Sequence, residues 1–115
     1  MTLFEFGDVV LVGFPFTNLQ TIKQRPAVIL SSHNYQQQRG DVILMAITSQ
    51  VRQPLGFGEY LLDDWQASGL LRQSVVKPLI ATIESAQIIK PMGKLSDHDC
   101  NGLQAVLQTV LSRSA

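Results

Sequence analysis

Apolar residues come in short, unbroken runs along most of this chain, and fall into a 3.6-residue rhythm only near its end. The first run is Val9 to Val12 in "GDVVLVGF", which starts at the Gly7-Asp8 turn and is closed by Gly13 and Pro15. Its β-branched residues predict a strand. A second strand is predicted from Pro26 to Leu30, where proline suits the first position because it cannot donate to a ladder. "GDVILMAITSQ", Gly40 to Gln50, repeats the Gly-Asp opening and predicts a third. "GEYLLDD", Gly58 to Asp64, predicts a fourth, and "SVVK", Ser74 to Lys77, a fifth. "ATIESAQIIK", Ala81 to Lys90, supplies one or two more. The polar stretch "NYQQQRG", Asn34 to Gly40, reads as a loop. Short strands at this spacing point to a small barrel or curled sheet rather than an α/β fold.

The C-terminal segment changes period. Cys100, Leu103, Leu107 and Leu111 share one stripe, with Val106 and Val110 beside it, so a helix closes the chain. Ser96 is its expected N-cap, and Asp97 and Asp99 suit its positive end. Leu95 and Cys100 stand where a hydrophobic staple would form. Gly102 is expected to weaken the first turn by about 1 kcal/mol relative to alanine. The stripe should cap a barrel end or a sheet face.

Composition narrows the function classes. The chain has 115 residues, enough for one domain spanning 1–115 with one real core. Nine basic residues balance nine acidic ones, so no bulk field draws the chain to nucleic acid or membrane. Any anion site must arise from local placement of a few cations. The single cysteine, Cys100, rules out an intrachain disulfide and a four-cysteine zinc site. No leader pattern or long apolar stretch is evident, so a cytoplasmic location is expected.

Candidate chemistry is sparse. His98 lies in the first helical turn beside two aspartates and reads as solvated surface, while His33 opens the polar loop. Asp63-Asp64 reads as a cap for the turn around Trp65, and no spacing recommends a metal or a cofactor. What remains is polar groups at strand ends: Arg25, Thr48-Ser49, Arg72 and Ser74. Gathered on one barrel rim, two guanidiniums and two hydroxyls would make a phosphate site. Scattered, they would be ordinary solvated rim positions.

These same residues carry a resemblance. "GDVVLVGFPFT…QRPAVILSS…GDVILMAITSQ…GLLRQSVVKPLIATIE…GKLSDHDCNGLQAVL" resembles the MazF/PemK family of bacterial toxins, in order, from Gly7 to Leu111. The resemblance implies a mainly β fold, an SH3-like barrel of the MazF/CcdB type with a C-terminal helix, assembled as a homodimer. It implies the toxin of a type II toxin-antitoxin system, a metal-independent endoribonuclease without cofactor that cuts single-stranded RNA to 2′,3′-cyclic phosphate and 5′-hydroxyl ends. It maps the catalytic arginine to Arg25 and the catalytic threonine to Thr48, with Ser49 beside it. Arg72, Ser74, Phe16, Thr17 and Gln24 become the expected substrate-binding residues. The implied partner is an antitoxin whose disordered acidic tail lies across the groove.

The match departs from the pattern at one point. Some members carry an Arg-x-Asp pair after the glycine corresponding to Gly69; here the arginine is Arg72 and the aspartate position is Ser74. Two other readings stay open on the same barrel. One is a gyrase poison of the CcdB kind, though "LQTVLSRSA" lacks the aromatic such a C-terminus uses. The other is a non-catalytic binding barrel, favoured by Ser74.

Overall fold

The structure, a computed structural model, describes residues 2–14 and 23–114. Six strands form one antiparallel sheet: β1 (Asp8–Phe14), β2 (Lys23–Ile29), β3 (Asp41–Thr48), β4 (Tyr60–Leu61), β5 (Val75–Glu84) and β6 (Ile88–Lys94). Their order is β4-β5-β3-β2-β1-β6. Two α-helices accompany them, α1 (His33–Arg39) and α2 (Asp97–Leu111). No helix among the described residues is long and apolar enough to cross a membrane.

The unbroken apolar runs have a structural cause. Adjacent residues of one strand serve different cores, because successive side chains point to opposite faces. Val10 and Val12 join Ala27, Ile29, Val42 and Leu44 in one cluster. Val9 and Val28 join Met45, Ile47, Val76 and Leu103 in the other. A sheet buried on both faces needs apolar residues at every position of its central strands. Helix α2 covers the second cluster through Leu103, with Cys100 and Leu107 packed against it.

A loop from one edge of the sheet packs on the other edge. The loop after β4 brings Ser68 and Gly69 against Met92 and Gly93 of β6. A Cβ on Gly69 would overlap the Met92 carbonyl, and the residue takes a φ of +82°, so glycine alone fits. This contact curls the sheet into the small closed fold that the strand spacing predicts.

Several elements differ from expectation. The stretch Asn34 to Gly40 is a helix rather than a loop. Ser32 caps α1 by accepting from the Tyr35 N–H at 3.1 Å, and Gly40 ends it with φ +79°. Its buried Gln36 accepts from Phe4 N and donates to the Thr2 carbonyl, each at 2.7 Å, tying the helix to the N-terminal segment. The fourth strand shrinks to Tyr60–Leu61. The fifth is one long strand through Pro78, tolerated because β3–β5 pairing shifts between Met45 and Ile47. The segment Ala81 to Lys90 divides at a 3-10 turn, Ser85–Gln87, between β5 and β6.

The helix keeps its expected cap, Ser96 Oγ accepting from Asp99 N at 3.2 Å. Asp97 and Asp99 both stand in its first turn, as expected, and Asp99 is in addition a fully buried side chain. One reading of the helix is corrected. Gly102 is required rather than tolerated, since a Cβ there would overlap the phenol end of Tyr60. The stripe also ends early, because Leu111 is largely exposed.

Candidate active site

One pocket of about 420 Å³ gathers most of the strand-end residues. Register explains how. Ala27 of β2 lies opposite Ala46 of β3, and that pairing goes no further toward Arg25. Pro26 is not the first residue of β2, as the sequence suggests, but the fourth, paired like Arg25 with β1 on the other side, and it has no N–H to continue a ladder toward β3. Arg25 and Thr48 therefore lie two residues past the last rung, on strands free to part. On the other side of β3, Thr48 still pairs with Val75, which brings the approach to β5, with Arg72 and Ser74, to the same opening.

The polar lining is Gln24, Arg25, Thr48, Ser49, Arg72 and Ser74. The apolar lining comes from Pro26, Ile47, Leu70, Leu71 and Met92. Six of the eight site residues read from the sequence thus meet in one place. The other two, Phe16 and Thr17, lie outside the described residues.

Its electrostatics are one-sided. No Asp, Glu or His is among the lining residues described. Neither arginine is paired with a carboxylate within 4.0 Å among the described residues, whose ion pairs are His33–Glu5 and His98–Asp63. Arg25 Nε is buried and meets no acceptor among the described residues. A buried donor left without a partner costs free energy, on the order of 1–3 kcal/mol. Arg25 itself lines the pocket, with no carboxylate among the lining residues described to neutralise it. A guanidinium can meet a phosphate through two parallel N–H donors.

The hydroxyls play different parts. Thr48 Oγ1 accepts from Gln50 N at 3.1 Å, which leaves its O–H proton to donate into the pocket. Ser49 is exposed beside it. Ser74 is buried, and its Oγ donates to the Arg72 carbonyl at 2.9 Å. That hydroxyl shapes the turn that carries Arg72. Leu71, next to it, is 91% exposed, the barest large apolar residue described. Sequence reasoning passed over Leu71 and Met92, because an apolar residue at a strand end carries no chemical signature.

The histidines lie elsewhere. His33 Nδ1 is 2.7 Å from Glu5 at the start of α1, and His98 Nε2 is 2.7 Å from Asp63. The hydrogen bond to Asp63 raises the His98 pKa above its ordinary value. Asp63, His98 and Asp99 bring potential ligand atoms within 4.8 Å of one another. Those groups are already engaged: Asp99 accepts from Tyr60 and two backbone amides, and His98 Nε2 donates to Asp63 Oδ2. Burial raises the Cys100 thiol pKa, so it is a poor nucleophile at neutral pH.

Known proteins show the same architecture. The chain is similar to an endoribonuclease solved with its cognate antitoxin from a Mycobacterial species, at 17% identity and TM-score 0.76, covering 96% of this chain and 97% of that one. It is similar to MazF from Deinococcus radiodurans, at 17% identity and TM-score 0.75, over 98% and 100% of the two chains. A Mycobacterium tuberculosis MazF toxin gives 20% identity and TM-score 0.74, over 94% and 99%. At such identities the likeness shows the fold, mainly β with a C-terminal helix. No curated protein matches at the sequence level. The family model for PemK-like, MazF-like toxins of type II toxin-antitoxin systems matches residues 5–111. That span holds every strand, both helices and the whole described pocket, and the chain belongs to this toxin family.

Proposed function

We propose that this toxin is an endoribonuclease that cuts single-stranded RNA at the pocket of Arg25, Thr48, Ser49 and Arg72. The observation that carries it is convergence: Arg25 and Arg72 line one pocket with Thr48 and Ser49, and no carboxylate is among its described lining. RNA supplies its own nucleophile. The 2′-oxygen attacks the adjacent phosphorus, the bond from phosphorus to the 5′-oxygen breaks, and the products are a 2′,3′-cyclic phosphate and a free 5′-hydroxyl. The proton lost from the 2′-hydroxyl is balanced by the one gained at the 5′-oxygen.

Each residue then has a task. Arg25 stabilises the charge that builds on the phosphoryl oxygens. Thr48 donates its O–H to the same group, with Ser49 beside it. Arg72 holds the flanking phosphate, and Gln24 lines the path of the strand; Phe16 and Thr17, which the resemblance adds as substrate-binding residues, lie outside the described residues. Arginine stays protonated, with a pKa above about 12, so it acts by charge and alignment rather than as a base. The lining described offers no imidazole or carboxylate for proton transfer, which suits a slow enzyme whose proton exchanges run through water.

The active assembly is a homodimer acting in the cytoplasm, held in check by an antitoxin whose disordered acidic tail covers the two arginines. Structures similar to this one include MazE–MazF complexes from Deinococcus radiodurans, which supports an antitoxin partner. Incubating the purified chain with a long single-stranded RNA, with and without EDTA, tests the activity. Cleavage to cyclic-phosphate ends that chelator leaves unchanged is expected. Intact RNA would end the reading. Light scattering checks the dimer, and a monomer at micromolar concentration would contradict it.

A further inference from the structure

Asp99 is fully buried, and no step of the proposed reaction uses it. It faces inward from the first turn of α2, and its oxygens are held by three donors. Oδ1 accepts from Tyr60 OH at 2.8 Å and Asp63 N at 3.1 Å, and Oδ2 accepts from Asp64 N at 2.9 Å. Burying a carboxylate is costly unless such donors replace its water. A dipole role would need none of this. Asp97, exposed in the same turn, serves the dipole without burial. What Asp99 holds is the beginning of the loop between β4 and β5, the loop that ends by delivering Arg72.

That loop is linked from one end to the other. Ser96 Oγ donates to Asp64 Oδ2 at 2.6 Å, a second tie from the helix cap to the same residue. Ser68 Oγ donates back to the Asp64 carbonyl at 3.1 Å. The Trp65 carbonyl accepts from Ser68 N at 3.2 Å and from Leu70 N at 3.3 Å. Leu70 is buried, and Gly69 is pressed onto Met92. Ser74 closes the far end on the Arg72 carbonyl, and Leu62 N donates to Ser74 O at 3.0 Å. Leu71, Arg72 and Gln73 are all exposed, so the position of Arg72 derives from the loop behind it.

We propose that Asp99 is a positioning residue for Arg72, acting through residues 62–74, and so a determinant of RNA binding at a pocket it does not line. This rests on the reading of that pocket as an RNA site. Asp99→Asn isolates the link. The amide oxygen can still accept from Tyr60 and Asp63, while its NH2 faces the Asp64 N–H, so one anchor is lost with little change in volume.

The experiment is a double-mutant cycle of Asp99→Asn and Arg72→Ala on the full chain, held well below each melting temperature. Two readouts are taken: the Kd for a single-stranded RNA with 2′-O-methyl groups that block cleavage, and amide hydrogen exchange at residues 70–73. Asp99→Asn should weaken RNA binding by about tenfold and speed exchange at 70–73. With Arg72 already alanine, it should weaken binding no further. An equal loss with and without Arg72 overturns the proposal, because a merely structural defect would act in both backgrounds. Should Arg72→Ala bind RNA like the wild type, the pocket reading falls instead. Exchange at 70–73 then decides alone, faster exchange upholding the link and unchanged exchange overturning it. If Asp99→Asn does not fold, Tyr60→Phe, which removes one donor and keeps the ring, takes its place in the same cycle.

Discussion

Ser74 Oγ donates to the carbonyl of Arg72 across 2.9 Å, so a buried hydroxyl fixes the turn that presents a guanidinium to the pocket. At this position some members of the family carry an aspartate. A carboxylate could not donate to that carbonyl and would instead oppose it at short range. Ser74→Asp should therefore lower stability, by about 1–3 kcal/mol, through one buried acceptor left without its donor. RNA cleavage should fall with it. Urea melts and a cleavage time course on the purified variant check both, and a more active variant would show that the turn tolerates the carboxylate.

Arg25 separates catalysis from folding. Arg25→Ala removes a buried Nε that has no partner among the described residues, and it leaves both hydrophobic clusters intact. Stability should hold or rise, by up to about 1–3 kcal/mol, because the unpartnered buried donor leaves with the side chain. The cleavage rate should drop by about a hundredfold or more, the usual cost of one preorganised donor to developing charge. Arg25→Lys should recover little, since lysine keeps the charge and loses the planar fork. Cleavage rates set beside melting temperatures for the three proteins make the comparison.

Gly102 gives a test of sign. Helix propensity alone says that alanine there stabilises α2 by about 1 kcal/mol. The packing says otherwise, because a Cβ at 102 overlaps the end of the Tyr60 ring, which is anchored on Asp99. Displacing that ring takes a donor from the buried Asp99 carboxylate, worth about 1–3 kcal/mol to lose. Gly102→Ala is expected to melt lower than the wild type, and a higher melting temperature would show that Tyr60 yields freely.

Tyr60 also sets an alkaline limit. Burial, then its hydrogen bond to Asp99, pushes its pKa well above the ordinary 10. The folded state thus favours the neutral phenol. That contribution is fully present below about pH 10 and is lost as pH rises from there toward the folded value. Urea midpoints measured at successive pH values should fall above about pH 10 in the wild type. The fall should be shallower in Tyr60→Phe, which has no proton to lose. Equal slopes in the two proteins would remove Tyr60 as the cause.

Much of this protein was legible in the chain itself. The central strands announced themselves because a sheet buried on both faces demands apolar residues in succession, as at Val9, Val10 and Val12. The α2 helix was legible in its period and in Ser96, since capping is a local hydrogen bond. The polar residues that line the candidate pocket were legible as residue types: Arg25, Thr48, Ser49 and Arg72. Other features depended on contacts between segments far apart in sequence. Helix α1 was missed because its polar residues gain a core only when Gln36 reaches Thr2 and Phe4. Asp99 was legible as an acidic residue of the first helical turn, but its burial against Tyr60, Asp63 and Asp64 was not. Whether the strand-end cations converge was decided by register, which ends β2–β3 pairing at Ala27 and holds Thr48 against Val75. Residue types and periods are local quantities that the sequence carries by itself. Convergence is set by where ladders stop and which loops close on which strands, and only the folded chain determines that.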